Sequence, residues 1–518
     1  MVRILVEKIK AGYPAIYLQT HEEERALGYI DEAATETGRK VFTWLFKDGI
    51  VSRNKTAKGT QQRVAQTGEP EEALREAIKL DQNSVLILRL FHHFMDDKEV
   101  QALLYDLLPK YKATRRQVII ISPILAIPPE LEKILSLIEM PLPTKEEHAA
   151  RVDNMQTNID KPDPEQRKLL AENARGLTQD EAENAIALSM IRPNIGKTKG
   201  EKMVWDPNVV KDEKCETVKK TGYLYYQPAT GHSIEDIGGL GLFKKWVERR
   251  AAIFKNYDAA REFGCDVPKG VLMLGVPGTG KSLGAKATAD AFQLPLIRVD
   301  MGAIFGGIVG QSEANARAVI KFLEAVSPCV GWLDEVEKGF AGSSGGQLDS
   351  GVGARVLGTF LTWMQDKTAP VFIYATANNI AALPPELLRK GRFDEMFYVQ
   401  LPNQTEREEI FKIHITKRGR AAKIGKPLDI KQLAAMTKGF SGAEIEAVVK
   451  EALDEAFFVK KDLNMFDLQE AITNVVPLEV LMKDDIDRLS KWAQGRTRPA
   501  NLPEGIESPH MQDRTVEA

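Results

Sequence analysis

Pro268-Lys269-Gly270-Val271-Leu272-Met273-Leu274-Gly275-Val276-Pro277-Gly278-Thr279-Gly280-Lys281-Ser282 is an apolar run that passes straight into a glycine-rich turn ending in Lys-Ser. Its spacing, G-x-x-x-x-G-K-[ST], is that of a phosphate-binding loop. Gly275, Gly278 and Gly280 carry no side chains, so backbone N–H groups can curl around a β-phosphate, and a helix beginning near Lys281 adds its positive end. Lys281 is placed to reach the β- and γ-phosphates, and Ser282 to hold Mg²⁺. The plain alternative is an ordinary glycine-rich turn; the strand before it and the helical pattern after it argue against that.

Roughly fifty residues beyond the loop, Cys329-Val330-Gly331-Trp332-Leu333-Asp334-Glu335 is a second apolar strand that ends in two acids. Behind a phosphate loop, Asp334 at the strand end can position Mg²⁺, and Glu335 can polarise an attacking water as general base. The next strand, Val371 to Ala377, leads into Asn378. That amide either caps a turn, the better reading from periodicity alone, or hydrogen-bonds the water or γ-phosphate. Leu387-Leu388-Arg389-Lys390-Gly391-Arg392-Phe393-Asp394-Glu395 then puts a cationic cluster before the final strand. An arginine there pairs locally or reaches into a neighbouring subunit's site, where it neutralises transition-state charge.

Phosphate loop, Asp334-Glu335, strand-terminal Asn378, Gly391-Arg392-Phe393-Asp394 and the turn Gly439-Phe440-Ser441-Gly442-Ala443-Glu444 occur in that order, and together they resemble the AAA ATPase family. Ser233-Ile234-Glu235-Asp236-Ile237-Gly238-Gly239-Leu240 is similar to the segment leading into that family's module. The resemblance implies that Asp236, Ile237 and Gly238 contact adenine, that His414 sits beside adenine or ribose, and that Gly442 and Ala443 close over the nucleotide from a helical lid. The implied nucleotide set is completed by Pro277, Gly278, Thr279, Gly280, Lys281, Ser282 and Leu283. Catalysis falls to Glu335, Asn378, Lys281 and a neighbour's Arg392; Ser282 and Asp334 hold the metal. Ile304 to Glu313, Phe360-Leu361-Thr362-Trp363-Met364 and Phe393-Asp394-Glu395 resemble, more narrowly, the AAA proteins encoded by a conserved chloroplast open reading frame and shared with cyanobacteria. Those carry a degenerate amino-terminal module, and this resemblance covers nearly the whole chain.

Two departures bear on activity. Protein-threading AAA motors usually place an aromatic residue before an apolar residue and glycine in the pore loop, whereas here the triplet is Ile308-Val309-Gly310. Ile308 and Val309 remain the candidates for substrate contact, with a weaker grip than a ring's. Glu395 stands where many members have a second arginine, which leaves Arg392 as the finger candidate and Arg389 as structural.

The other half of the chain repeats the pattern without the loop. Ala15 to Leu18, Val41 to Phe46, Val85 to Leu90 and Val118 to Ile121 read as buried strands separated by amphipathic helices, which argues for a parallel sheet. Where a phosphate loop would follow the first strand stands Gln19-Thr20-His21-Glu22-Glu23-Glu24, whose carboxylates would repel a triphosphate. Arg175-Gly176-Leu177-Thr178-Gln179-Asp180-Glu181 echoes Lys438 to Glu444, and Ala126-Ile127-Pro128-Pro129-Glu130-Leu131 echoes Ala382 to Leu387. An internal duplication follows, with chance similarity of helix caps as its competitor. The expected architecture is α/β: tandem AAA modules, each a parallel sheet flanked by helices plus a small helical lid. The boundaries are 1–192 for the degenerate module, 193–230 for a linker with room for one helix at Val209 to Lys220, 231–404 for the ATPase subdomain, 405–495 for the lid and 496–518 for a disordered tail.

Composition sets limits. At 518 residues the chain exceeds one core. A net charge of −3 with 28% charged residues offers no bulk basic field for nucleic acid. Cys215, Cys265 and Cys329 lack metal-ligand spacing, and the histidines form no convincing metal site. No apolar run is long enough to span a bilayer, so a soluble, cytoplasmic-type compartment without membrane insertion is expected. The leading expectation is a homo-oligomeric, hexameric, Mg²⁺-dependent ATPase that uses ATP to remodel an unknown protein client. An ATP-gated scaffold or switch without threading is the alternative, and nucleic-acid remodelling a distant third.

Overall fold

The computed structural model describes residues 1–53, 63–65, 67–155, 161–196, 204–227, 234–305, 311–338, 350–389 and 391–503. They form two compact units, Met1–Ile191 and the chain from Arg192 onward.

The strands of the first unit are β1 (Ala15–Gln19), β2 (Lys40–Leu45), β3 (Gly49–Ser52), β4 (Arg63–Ala65), β5 (Ser84–Arg89), β6 (Gln117–Ser122) and β7 (Leu135–Glu139). They lie in the order β4-β3-β2-β5-β6-β1-β7, parallel from β2 to β7 and antiparallel at β3 and β4. Both faces are covered, which is why β1 is apolar on consecutive positions instead of alternating. Ile16 and Leu18 pack with Leu27 and Ile30 of helix Glu23–Glu36. Tyr17 faces the other layer with Leu104 and Leu108 of helix Lys98–Ala113.

The second unit contains β8 (Leu224–Gln227), β9 (Gly270–Gly275), β10 (Leu296–Val299), β11 (Cys329–Leu333), β12 (Val371–Ala377), β13 (Glu395–Val399) and β14 (Arg498–Pro499). Their order is β14-β13-β9-β12-β11-β10-β8, parallel except for β8. The run β13-β9-β12-β11-β10 therefore has the same sequence logic as β7-β1-β6-β5-β2: the first strand lies second from the end, and an antiparallel strand follows at the far edge. Helices Gln404–Lys417, Ile430–Met436, Gly442–Phe458 and Met465–Thr473 enclose a core of their own, with Phe411, Leu433, Val448 and Leu468 at its centre.

Two stretches differ from expectation. Within 193–230, expected as a linker carrying one helix at Val209 to Lys220, a helix is found at Pro207–Lys219, but it and β8 belong to the second unit, and Val218, Leu224 and Tyr226 enter the core with Ile297 and Leu323. Within 496–518, expected to be disordered, residues 498–502 are packed: Arg498 and Pro499 pair with Phe397 and Tyr398, and Ala500 is fully buried. Strands of four and two residues are too short to show a period, so only their partners reveal them. The three cysteines form no disulfide. Among the described residues no helix is long and apolar enough to cross a membrane, and no cluster of His, Cys, Asp and Glu could hold a metal ion alone.

Candidate active site

The central strand β9 delivers the glycine turn to the edge of the sheet, and helix Lys281–Phe292 starts directly from it. Gly278 and Gly280 have φ of +77° and +88°, a region where a side chain is strained. A Cβ on Gly278 would also come within 2.9 Å of the Ser441 hydroxyl and 3.1 Å of Ala443 Cβ. The lid closes on the loop here, and the Ala443 N–H donates to the Gly278 carbonyl (3.1 Å). Ser441 is the N-cap of the lid helix Gly442–Phe458, in a reciprocal capping box with Glu444.

Lys281 is 6% exposed, and its Nζ donates to the carbonyls of Gly275 and Val276 (2.7 Å each). Burial lowers its pKa to about 8, although the carboxylates of Glu337, Asp334 and Glu335 pull the other way. Behind it, the buried Tyr374 hydroxyl donates to the Lys281 carbonyl (2.8 Å) and fixes the first turn of the helix.

The acids follow β11. Asp334 Oδ1 accepts from the Thr376 hydroxyl (2.8 Å) and lies 3.4 Å from Ser282 Oγ; Oδ2 is 3.4 Å from Arg298 Nη2. Glu335 adopts φ +48°, uncommon for a residue with a side chain. Its N–H donates to Thr376 Oγ1 (2.9 Å), Oε1 accepts from Asn378 Nδ2 (3.2 Å), and Oε2 pairs with Lys338. The strain is thus held by the neighbouring strand β12, as at many reactive positions. Asn378 does not cap the following turn; Asn379 does, accepting from Ala381 N (3.0 Å).

These groups meet in one cavity of about 420 Å³. Pro277, Gly278, Thr279, Gly280, Lys281, Ser282, Leu283, Asp334, Glu335 and Asn378 line it from the sheet, Asp236, Ile237 and Gly238 from the segment before the module, and His414, Gly442 and Ala443 from the lid. A buried cation, a helix N-terminus and a hydroxyl beside a carboxylate fit a polyphosphate with a hard, oxygen-seeking cation such as Mg²⁺. Residues 271–401 match the family described as ATPase family associated with various cellular activities (AAA), residues 427–458 its AAA+ lid domain, and residues 1–140 the SpoVK-like AAA ATPase N-terminal domain. The chain is 38% identical over 500 residues to the AAA domain-containing protein ycf46 of Guillardia theta, covering 95% of each. It is 36% identical over 503 residues to ycf46 of Pyropia yezoensis, covering 95% of this chain and 98% of the relative. The chain belongs to the ycf46 group of AAA ATPases.

This AAA ATPase is an ATP-hydrolysing enzyme. It also resembles more distant members, such as the ATP-dependent zinc metalloprotease FtsH of Parabacteroides distasonis, 34% identical over 249 residues that cover 47% of this chain and 36% of the relative. Arg392 does not line the cavity; it is half-buried and donates to the Leu361 carbonyl. Asp394 accepts from the N–H groups of Lys269 (2.7 Å) and Gly270 (3.0 Å), pinning the start of β9. Ile308 and Val309 lie outside the described residues.

Several residues in the wall, and Glu337 behind it, escaped the sequence. Thr376 bridges Asp334 and Glu335, and buried Glu337 accepts from the Asn378 N–H (2.9 Å) while its Oε2 has no protein partner. Burial raises the Glu337 pKa, opposed chiefly by that N–H. His414 is pushed down by burial, against the pull of Glu446 3.7 Å away. Thr376 sits two residues before Asn378 and Glu337 two residues beyond Glu335, a weak signal; Gln400, Glu406 and Asn501 gave none.

Proposed function

We propose that this AAA ATPase hydrolyses ATP with Mg²⁺ in a ring of identical chains, a hexamer by family resemblance, and uses the cycle to remodel a protein partner. The observation that carries the reading is the convergence of Lys281, Ser282–Asp334 and Glu335–Asn378 on a single cavity roofed by the lid. Lys281 and the loop amides bind the β- and γ-phosphates. Ser282 and Asp334 would hold Mg²⁺, which neutralises phosphate charge when bound. Glu335 takes a proton from the water that attacks the γ-phosphorus; the bond to the β–γ bridging oxygen breaks, and ADP and phosphate result. Asn378 orients Glu335 and the water. Arg392, outside its own cavity, is the cation a neighbouring copy would receive.

The first unit reads as a copy that has lost the nucleotide. Its strand order supports this, and so do the paired caps: Glu181 N donates to Thr178 Oγ1 (3.4 Å) as Glu444 N donates to Ser441 Oγ (3.3 Å). Buried Glu22, at the position of the missing loop, accepts from the Gln179 N–H (2.6 Å) at the start of helix Gln179–Ile191 and from Arg25 (2.6 Å). A carboxylate joins that loop to that helix where the second unit's cavity would hold phosphate. Such a plugged first unit also suits the alternative of an ATP-gated scaffold whose first unit recruits a partner.

Mixing two inactive variants tests the shared site. Glu335→Gln and Arg392→Ala chains, each inactive alone, should regain partial turnover when mixed, because some interfaces then pair an intact Glu335 with an intact Arg392. Mixtures as inactive as their parents, in rings shown to exchange subunits, would remove Arg392 from the neighbour's site.

A further inference from the structure

The strand at the end of the described chain closes one side of the cavity. Beyond helix Lys483–Ala493 the chain returns along β13, where the Ala500 N–H donates to the Tyr398 carbonyl (2.9 Å). The Ala500 carbonyl accepts from Leu242 N–H (3.1 Å) and Phe243 N–H (3.2 Å), donors in the first turn of helix Gly241–Lys255 that have no partner within the helix. Asn501 follows, 7% exposed and on the cavity wall. Its Oδ1 accepts from the Gln400 N–H (3.0 Å), and its Nδ2 donates to Glu406 Oε2 (2.8 Å). Glu406 is itself buried on the first lid helix, and its other oxygen accepts from the Leu240 N–H (3.1 Å). Leu240 has φ +56°, so Glu406 holds a strained backbone in place. The Leu502 carbonyl in turn accepts from Asn403 Nδ2 (3.1 Å).

We propose that Asn501 is a positioning residue for nucleotide binding. Through Glu406 and Gln400 it fixes the wall at 238–240 and the connection between sheet and lid at 400–403, and so sets the affinity for the nucleoside part of the ligand. Its own bonds fall on 400 and 406, and reach 240 through Glu406, not on the phosphate loop, so the phosphate end is left as it is. Both amide atoms are committed to the protein; the residue acts by holding the wall. The proposal rests on the cavity being the nucleotide site.

Full-length Asn501→Ala and Asn501→Asp chains are compared with wild type for binding of ADP and of inorganic tripolyphosphate, which shares the phosphate end but has no nucleoside. Asn501→Ala is expected to weaken ADP about tenfold, the usual scale for losing a hydrogen bond to a buried carboxylate, with tripolyphosphate within about twofold of wild type. Asn501→Asp, which sets a second carboxylate against Glu406, should weaken ADP further. Equal losses for both ligands, or no loss for ADP, overturn the proposal. A wild type that binds neither ligand removes the nucleotide-site reading instead. Should Asn501→Ala fail to fold, Leu502→Ala, which trims the strap's packing on Gly241, decides by the same comparison.

Discussion

The buried lysine of the phosphate loop makes nucleotide affinity depend on pH, in a direction the geometry fixes. Lys281 has a pKa of about 8 in the ligand-free protein because burial outweighs three nearby carboxylates. Phosphates beside it favour the charged form, so the bound state keeps the proton. The charged, binding-competent fraction is then about nine-tenths at pH 7 and about one-tenth at pH 9. Apparent Kd rises by the inverse of that fraction, about tenfold or about 1.4 kcal/mol between the two pH values. Titration calorimetry of Mg·ATP in buffers of different ionisation heat, with hydrolysis blocked by Glu335→Gln, reads both quantities. Proton uptake per site should climb from about 0.1 at pH 7 to about 0.9 at pH 9. Lys281→Arg, charged throughout this range, should bind more weakly and without the pH trend. Equal wild-type affinity at pH 7 and pH 9, with no proton uptake, would refute the reasoning.

Other perturbations have equally definite outcomes. Glu335→Gln should keep ATP affinity and cut turnover by about 10² or more, as expected for loss of a general base; a steady-state phosphate assay beside a binding assay separates the two. Gly284→Ala places a Cβ 2.2 Å from the Tyr374 hydroxyl, and overpacking of about 1–3 kcal/mol should lower the melting temperature and loosen Lys281's turn; an unchanged melting curve contradicts this. Glu22→Ala removes one of the two carboxylates paired with the largely buried Arg25 side chain and leaves it half-exposed Glu147, the Tyr29 hydroxyl and the Pro141 carbonyl. A cost of about 1–3 kcal/mol should appear in the thermal unfolding of the first unit, with Mg·ATP affinity at the second unchanged.

The parts of this protein that were legible in the sequence are those where chemistry and local backbone coincide. A phosphate loop needs glycines at fixed steps from its lysine, and a strand buried on both faces needs an unbroken apolar run; β9 with its loop, β11 with its two acids and β12 could therefore be read one after another, while the choice of Asn378 between a cap and the cavity could not. The capping turns at Thr178 and Ser441 were legible because a side chain bonds an N–H three residues on. What depended on distant partners was not. Nothing local in Leu224–Gln227 or Arg498–Pro499 tells that each will lie against a sheet edge, and nothing in Asn501 tells that it meets Glu406 and Gln400. Hydrogen bonds between segments a hundred residues apart leave no period behind. Which reaction the chain is equipped for could be read from its residues alone, because its reactive groups sit on short, stereotyped turns. How the cavity around that chemistry is walled emerges with the folded chain, because burial and pairing are properties of its packing and not of any stretch of it.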